Sequence, residues 1–147
     1  MTTQHTAQVG THAICDELSR RGATDIRVWK EGNRPRIGFL SKNGVQYMVA
    51  PRSKRSGTWQ TSITYGKPSG KNPVEREYWI FVDIGVEPHV YYLVPAWWIA
   101  NDIYEAHQRY LEVHGGHRKD NDDSTHHAIA AKRIESWKGS WDQLGLG

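Results

Sequence analysis

Residues 45–60 read VQYMVAPRSKRSGTWQ. An apolar run from Val45 to Ala50 stops at Pro51. Three cations follow, Arg52, Lys54 and Arg55, then Ser56-Gly57, a tryptophan and a glutamine. The spacing predicts a strand over 45–50 that ends at Pro51, because a prolyl nitrogen has no hydrogen to give a sheet ladder. Asn43-Gly44 just before it is a hairpin signal, since both residues tolerate positive φ. The returning partner is then Arg36–Leu40 (RIGFL). Asp25–Lys30 (DIRVWK) alternates polar and apolar as a half-buried strand does, with Gly32-Asn33 as its turn.

Upstream of the three strands, residues 6–21 carry Val9, Ala13, Ile14 and Leu18 at helical spacing, and Gly22 is a stop. Downstream, residues 52–77 are rich in Ser, Gly, Lys and Pro, with a short apolar piece at 59–65. Tyr78–Ile84 (YWIFVDI) and His89–Val94 (HVYYLV) read as two further strands around a Gly85 to Pro88 turn. Ala96–Val113 is expected to be a second long helix, entered after Pro95. A polar loop, HGGHRKDNDDSTHH, leads to an expected last helix over 130–144, with Ile134, Trp137, Trp141 and Leu144 on one face. The expected fold is α/β, a single mixed five-stranded sheet flanked by helices, with residues 1–147 as one domain.

Composition limits the function classes. Seven Trp and seven Tyr in 147 residues argue against disorder. No run approaches the roughly 18 apolar residues of a membrane span. The N-terminal stretch has no basic region followed by an apolar one, so no signal peptide is expected. The single cysteine, Cys15, lies within an apolar helix pattern, and the expected compartment is the cytoplasm. The net charge is only +3, but it is unevenly placed. Between Gly32 and Val74 there is no Asp or Glu against eight cations, so the remaining eleven of the nineteen face all sixteen acids. That asymmetry suggests a polyanion-binding face.

The cations after Ala50 suit a nucleic-acid backbone: Arg36, Arg52, Lys54 and Arg55 would meet phosphates. Ser53, Ser56 and Thr58 would add hydrogen bonds to phosphate oxygens. Trp59 would stack on a base or wedge against a groove, and Gln60 would read a base edge. Against this stand a core position for Trp59 under the crossover and plain solvation for the cations.

The element order, with GTHAICDELSRRG (10–22), VAPRSKRSGTWQ (49–60), YWIFVDI (78–84), YYLVP (91–95) and WDQL (141–144), resembles the PD-(D/E)XK, or restriction-endonuclease-like, superfamily. The resemblance spans about Gly10 to Leu144 and implies a nuclease-like fold that handles nucleic acid, DNA above all. It also implies an acid on the second strand and an acid-x-Lys on the third, which hold Mg²⁺ or Mn²⁺ and activate a water. A hard cation needs such oxygen ligands. Here Ile37-Gly38 stand where the first acid is expected, and VQYMVAPRSK carries none. Arg52 or Lys54 falls near the lysine position, Gln46 is the polar side chain nearest the missing acid, and Glu17 (or Asp16) matches a helix glutamate that binds metal in some members.

A second constellation is His107, His114, His117, His126 and His127, with Asp120, Asp122 and Asp123. Imidazoles with carboxylates suit Zn²⁺ or a similar ion, so His114, His117 and His126 are candidate metal ligands and His114 a candidate catalytic group. The spacing matches no HExxH, and a polar loop that joins two helices, capped by Asp123, Ser124 or Thr125, is the plainer reading. Neither a Walker loop nor a GxGxxG is present. Three readings follow. One is a nucleic-acid-binding domain with a degenerate metal site, an accessory or subunit of a DNA-processing or defence system. Another is an active metal-dependent DNA endonuclease using Glu17 and the histidines. The third is a protein-interaction module or homodimer with Trp97, Trp98, Trp137 and Trp141 at its surface.

Overall fold

A computed structural model describes residues 2–115 and 125–147. Helix α1 (Thr3–Arg20) starts where the Thr2 hydroxyl accepts the His5 N–H at 3.0 Å, and it buries Gly10, Ile14 and Leu18. Strands β1 (Thr24–Glu31), β2 (Arg34–Leu40) and β3 (Gln46–Lys54) form an antiparallel meander. The Asn43-Gly44 turn joins the last two, with the Val45 N–H donating to Asn43 Oδ1 at 3.0 Å and Gly44 at φ +80°. After β4 (Trp59–Ser62) and one 3₁₀ turn (Ile63–Tyr65), β5 (Glu77–Asp83) lies parallel to β3. Strand β6 (Val90–Pro95) pairs antiparallel with β5 and runs into α2 (Ala96–Val113). The main sheet has the order β1-β2-β3-β5-β6, a mixed five-stranded sheet, and β4 pairs separately with β7 (His126–Ile129).

Alternation along the strands builds two cores. Tyr78, Ile80 and Val82 of β5 join Ile37, Phe39, Val49, Leu93 and the α1 residues Ile14 and Leu18 on one face. On the other, Trp79 and Phe81 join Trp59, Tyr92, Val94, Ile99 and Ile103 of α2, and Ile129. The sheet is therefore covered by α1 on one side and by α2 with the β4–β7 pair on the other. Close packing of α1 rests on Gly10, where a Cβ would collide with Ser53 of β3.

Two expectations give way here. Strand β3 does not end at Pro51 but continues to Lys54, pairing with β5 through Lys54↔Asp83. Beyond Val49 it has left β2, so its missing N–H on that side costs no ladder bond. The expected helix over 130–144 is two 3₁₀ segments, Ala131–Trp137 and Trp141–Leu144, preceded by β7. Ile134 and Trp137 pack on the α2 side, whereas Trp141, Leu144 and Leu146 pack on the α1 side. The chain rounds the edge of β6 between them, where Lys138 bridges Tyr92 and the Gly139 N–H donates to the Tyr91 carbonyl at 2.8 Å. One straight helix cannot serve both faces. Among the described residues, no helix is long and apolar enough to cross a membrane.

Candidate functional site

Strands β2 and β3 stop pairing at Ile37↔Val49. Continuing that register would set Pro35 against Pro51, neither of which has an N–H to donate. Each strand then follows its other neighbour, β2 to β1 and β3 to β5. Into the fork point Arg34 and Arg36 from β2 and Arg52 from β3, on the α2 side of the sheet. Tyr65 sits between them, with the Arg34 guanidinium 5.0 Å and the Arg52 guanidinium 5.7 Å from its ring centroid. Arg52 also lies 4.8 Å over the ring of Trp79.

The three guanidinium groups find few acceptors. Arg36 Nη1 donates to the Pro35 carbonyl at 2.9 Å, and its Nε is 3.4 Å from the Glu31 carboxylate. Arg52 Nη1 donates to the Pro51 carbonyl at 3.0 Å, while its buried Nε and Nη2 have no partner among the described residues. Burial, reinforced by Arg34 and opposed by the nearby Tyr65 hydroxyl, pulls the Arg52 guanidinium down to about 10. It stays charged at neutral pH, so it acts as a fixed positive charge beneath the fork. A cleft of 310 Å³ opens alongside, lined by Glu31, Arg36, Met48, Tyr65, Glu77 and Trp79.

Of the residues singled out in the sequence for nucleic acid, Arg36 and Arg52 come together at the fork, and Lys54, Arg55, Trp59 and Gln60 do not join them there. Lys54 lies on the same face but is 11% exposed, with Nζ 3.1 Å from Asp83 and 4.7 Å over the Trp59 ring, so its charge is already paired. Arg55 is exposed and donates from Nε to Thr6 Oγ1 of α1 at 3.3 Å. Trp59 corrects the expectation of a stacking surface. It is 1% exposed, its indole N–H donates to the Val82 carbonyl at 3.1 Å, and Phe81 and Tyr92 meet it edge-on. A large ring that closes the crossover over the sheet buries more apolar area there than it would on a base. Gln60 is exposed on β4 and donates to Thr58 Oγ1 at 3.2 Å.

Among the described residues, the expected metal ligands Glu17, His114 and His126 lie on separate elements. Glu17 is near the end of α1, on the face away from α2, and is held by Arg20 and by Arg21 Nε at 2.7 Å. The Arg20 hydrogen bond above all keeps its carboxyl below the usual range. His114 caps α2 on the opposite side, its ring 4.2 Å from that of Tyr110. His126 begins β7, and His117, Asp120, Asp122 and Asp123 lie outside the described residues. Among the described residues, no group of three His, Cys, Asp or Glu is close enough to share an ion. Trp98 and Trp137, expected at a partner surface, pack against the second core and meet each other at 6.0 Å.

Arg34, Tyr65, Glu31 and Glu77 were not singled out in the sequence. The acid-free stretch contains the first two, and alternation along β2 places Arg34 with Arg36. Nothing local marks Glu31 or Glu77, which reach the cleft only through the β1–β2 and β3–β5 pairings. No family model, curated protein or solved structure matches the chain.

Proposed function

We propose that this chain is a nucleic-acid-binding domain of nuclease-like fold that takes DNA phosphates at the β2–β3 fork and does not cut them. The observation that carries this reading is the convergence of Arg34, Arg36 and Arg52, which outnumber the two carboxylates of the cleft, Glu31 and Glu77, with two Arg52 donor nitrogens unmatched among the described residues. The meander β1-β2-β3 with β5 parallel to β3 supports the restriction-endonuclease-like assignment. Neither arm of the fork, RPRIGFL or QYMVAPRSK, contains a carboxylate. In the nuclease chemistry that the resemblance implies, acids there hold a divalent cation between protein and phosphate. Arginines in their place meet the phosphate directly through charge-assisted hydrogen bonds. A role as accessory or subunit of a DNA-processing or defence system follows from the resemblance alone.

The test is to mix the protein with supercoiled plasmid and a short duplex, with Mg²⁺ or Mn²⁺ or with EDTA, and to read native and denaturing gels. A mobility shift without cleavage, weakening as salt rises, supports the proposal. A duplex that never shifts removes it. A second reading, an active metal-dependent endonuclease, is favoured by Glu31 and Glu77 lining the cleft beside Arg36. Its signature is cleavage that requires the metal and is lost in Glu77→Gln.

A further inference from the structure

The two ends of the main sheet are finished differently. At β6 the chain covers its own edge through the Lys138 bridge and the Gly139 bond. At β1 no strand among the described residues pairs with the outer edge. The groups that face outward there follow from the register. Lys30 is opposite Pro35, which has no N–H, so that pair is of the non-hydrogen-bonded kind. By alternation Val28 and Lys30 turn their own N–H and C=O away from β2. A register shift between Thr24 and Arg27, with Asp25 at φ +53°, confines the regular edge to residues 27–31, RVWKE.

That strip is complementary to itself. Arg27, Trp29 and Glu31 share the α2 face of the sheet, while Val28, 53% exposed, and Lys30 share the other. We propose that a second copy of this chain pairs with it, antiparallel, about a two-fold axis at Trp29. Val28 then meets Lys30 of the second copy in a hydrogen-bonded pair, which uses the outward-facing backbone groups. Arg27 meets Glu31 of the second copy, twice by symmetry. The two Trp29 rings meet at the axis, where Cα atoms of a non-hydrogen-bonded pair approach to about 4.5 Å. The Lys30 stem covers the exposed Val28. A one-residue slip sets Arg27 against Lys30 and turns each copy's faces over, so this register is the one the charges select. The groove between α1 and β1, lined by Ala7, Thr11, Ile26, Val28 and Lys30 among others, lies along the same edge and would flank the junction. The product is one continuous ten-stranded sheet with the two forks on the same face.

Size-exclusion chromatography with light scattering on the full chain tests this, with circular dichroism to confirm folding. The wild type is expected at the mass of two 16.8 kDa chains. Arg27→Glu and Glu31→Arg should each raise the concentration at which the dimer dissociates by about tenfold or more, since each turns two attractive pairs repulsive. The double exchange R27E/E31R should restore the dimer. Val28→Pro removes an outward N–H without touching the β1–β2 ladder and should give single chains. A wild type of one-chain mass, a dimer indifferent to these changes, or a double exchange that stays monomeric overturns the proposal.

Discussion

The Arg52 guanidinium lies 4.8 Å over the Trp79 ring, while its Nε and Nη2 meet no acceptor among the described residues. The ring offsets part of the cost of burying that charge, and an unpaired buried charge remains expensive. Arg52→Met keeps a stem of similar length over Trp79 and removes the charge. We expect this variant to gain about 1 kcal/mol in unfolding free energy while losing affinity for DNA. A variant less stable than wild type in urea would mean that the attraction of the rings outweighs the cost of burial.

Lys54 and Asp83 form the opposite case. The ammonium has a partner at 3.1 Å, and the same carboxylate accepts the Gly85 N–H at 2.9 Å. Lys54→Ala strands a half-buried carboxylate and should cost about 2–3 kcal/mol in urea unfolding. Because the Lys54 charge is already matched, the salt dependence of DNA binding should hardly change.

Protonation of His127 opposes folding. Burial, with His107 adding to it and Asp102 working against it, holds the imidazole below its ordinary value. In the window below 6.5 the unfolded chain therefore binds a proton that the folded chain does not, so stability falls as pH falls. Urea midpoints at about pH 5 and about pH 7.5 should differ in that direction, and His127→Gln should narrow the difference. An unchanged difference in the variant would place the effect elsewhere.

Glu17 is a clasp between α1 and the C-terminal tail. It holds Arg21, which lies 4.6 Å over Trp141 and donates to the Leu146 carbonyl at 3.3 Å. Glu17→Gln should lower stability by about 1 kcal/mol. The loss should fade as acid protonates the wild-type carboxylate, whose folded value is depressed. DNA binding should not move, because Glu17 and the fork lie on opposite faces of the sheet. A loss of binding or of any metal-dependent cleavage in this variant would restore Glu17 to the site.

Local signals carried the strands well. Asn43-Gly44, the alternation in DIRVWK and the unbroken apolar runs of β5 and β6 each correspond to an observed element. Pro51 misled because a proline halts a ladder on one side only, and which side is free depends on the partner strands. The spacing of Ile134, Trp137, Trp141 and Leu144 suggested one helix face, yet these residues serve two different cores. Trp59 could not be placed from its basic neighbours, since the ring turns inward where β3 gives way to the crossover. The fork was half legible. Its cations stood out by charge, but their meeting around Tyr65 depends on where β2 and β3 separate, a long-range property of the sheet.

The central claim is that Arg34, Arg36 and Arg52 bind phosphate at the fork. Its most direct measurement is duplex affinity against salt for the wild type and for Arg34→Ala with Arg36→Ala. Each phosphate that the protein no longer neutralises should reduce the slope of log K against log salt by about 0.9. The account predicts a slope lower by about 2 in the double variant, with stability near that of the wild type. An unchanged slope and affinity in a folded double variant would contradict it.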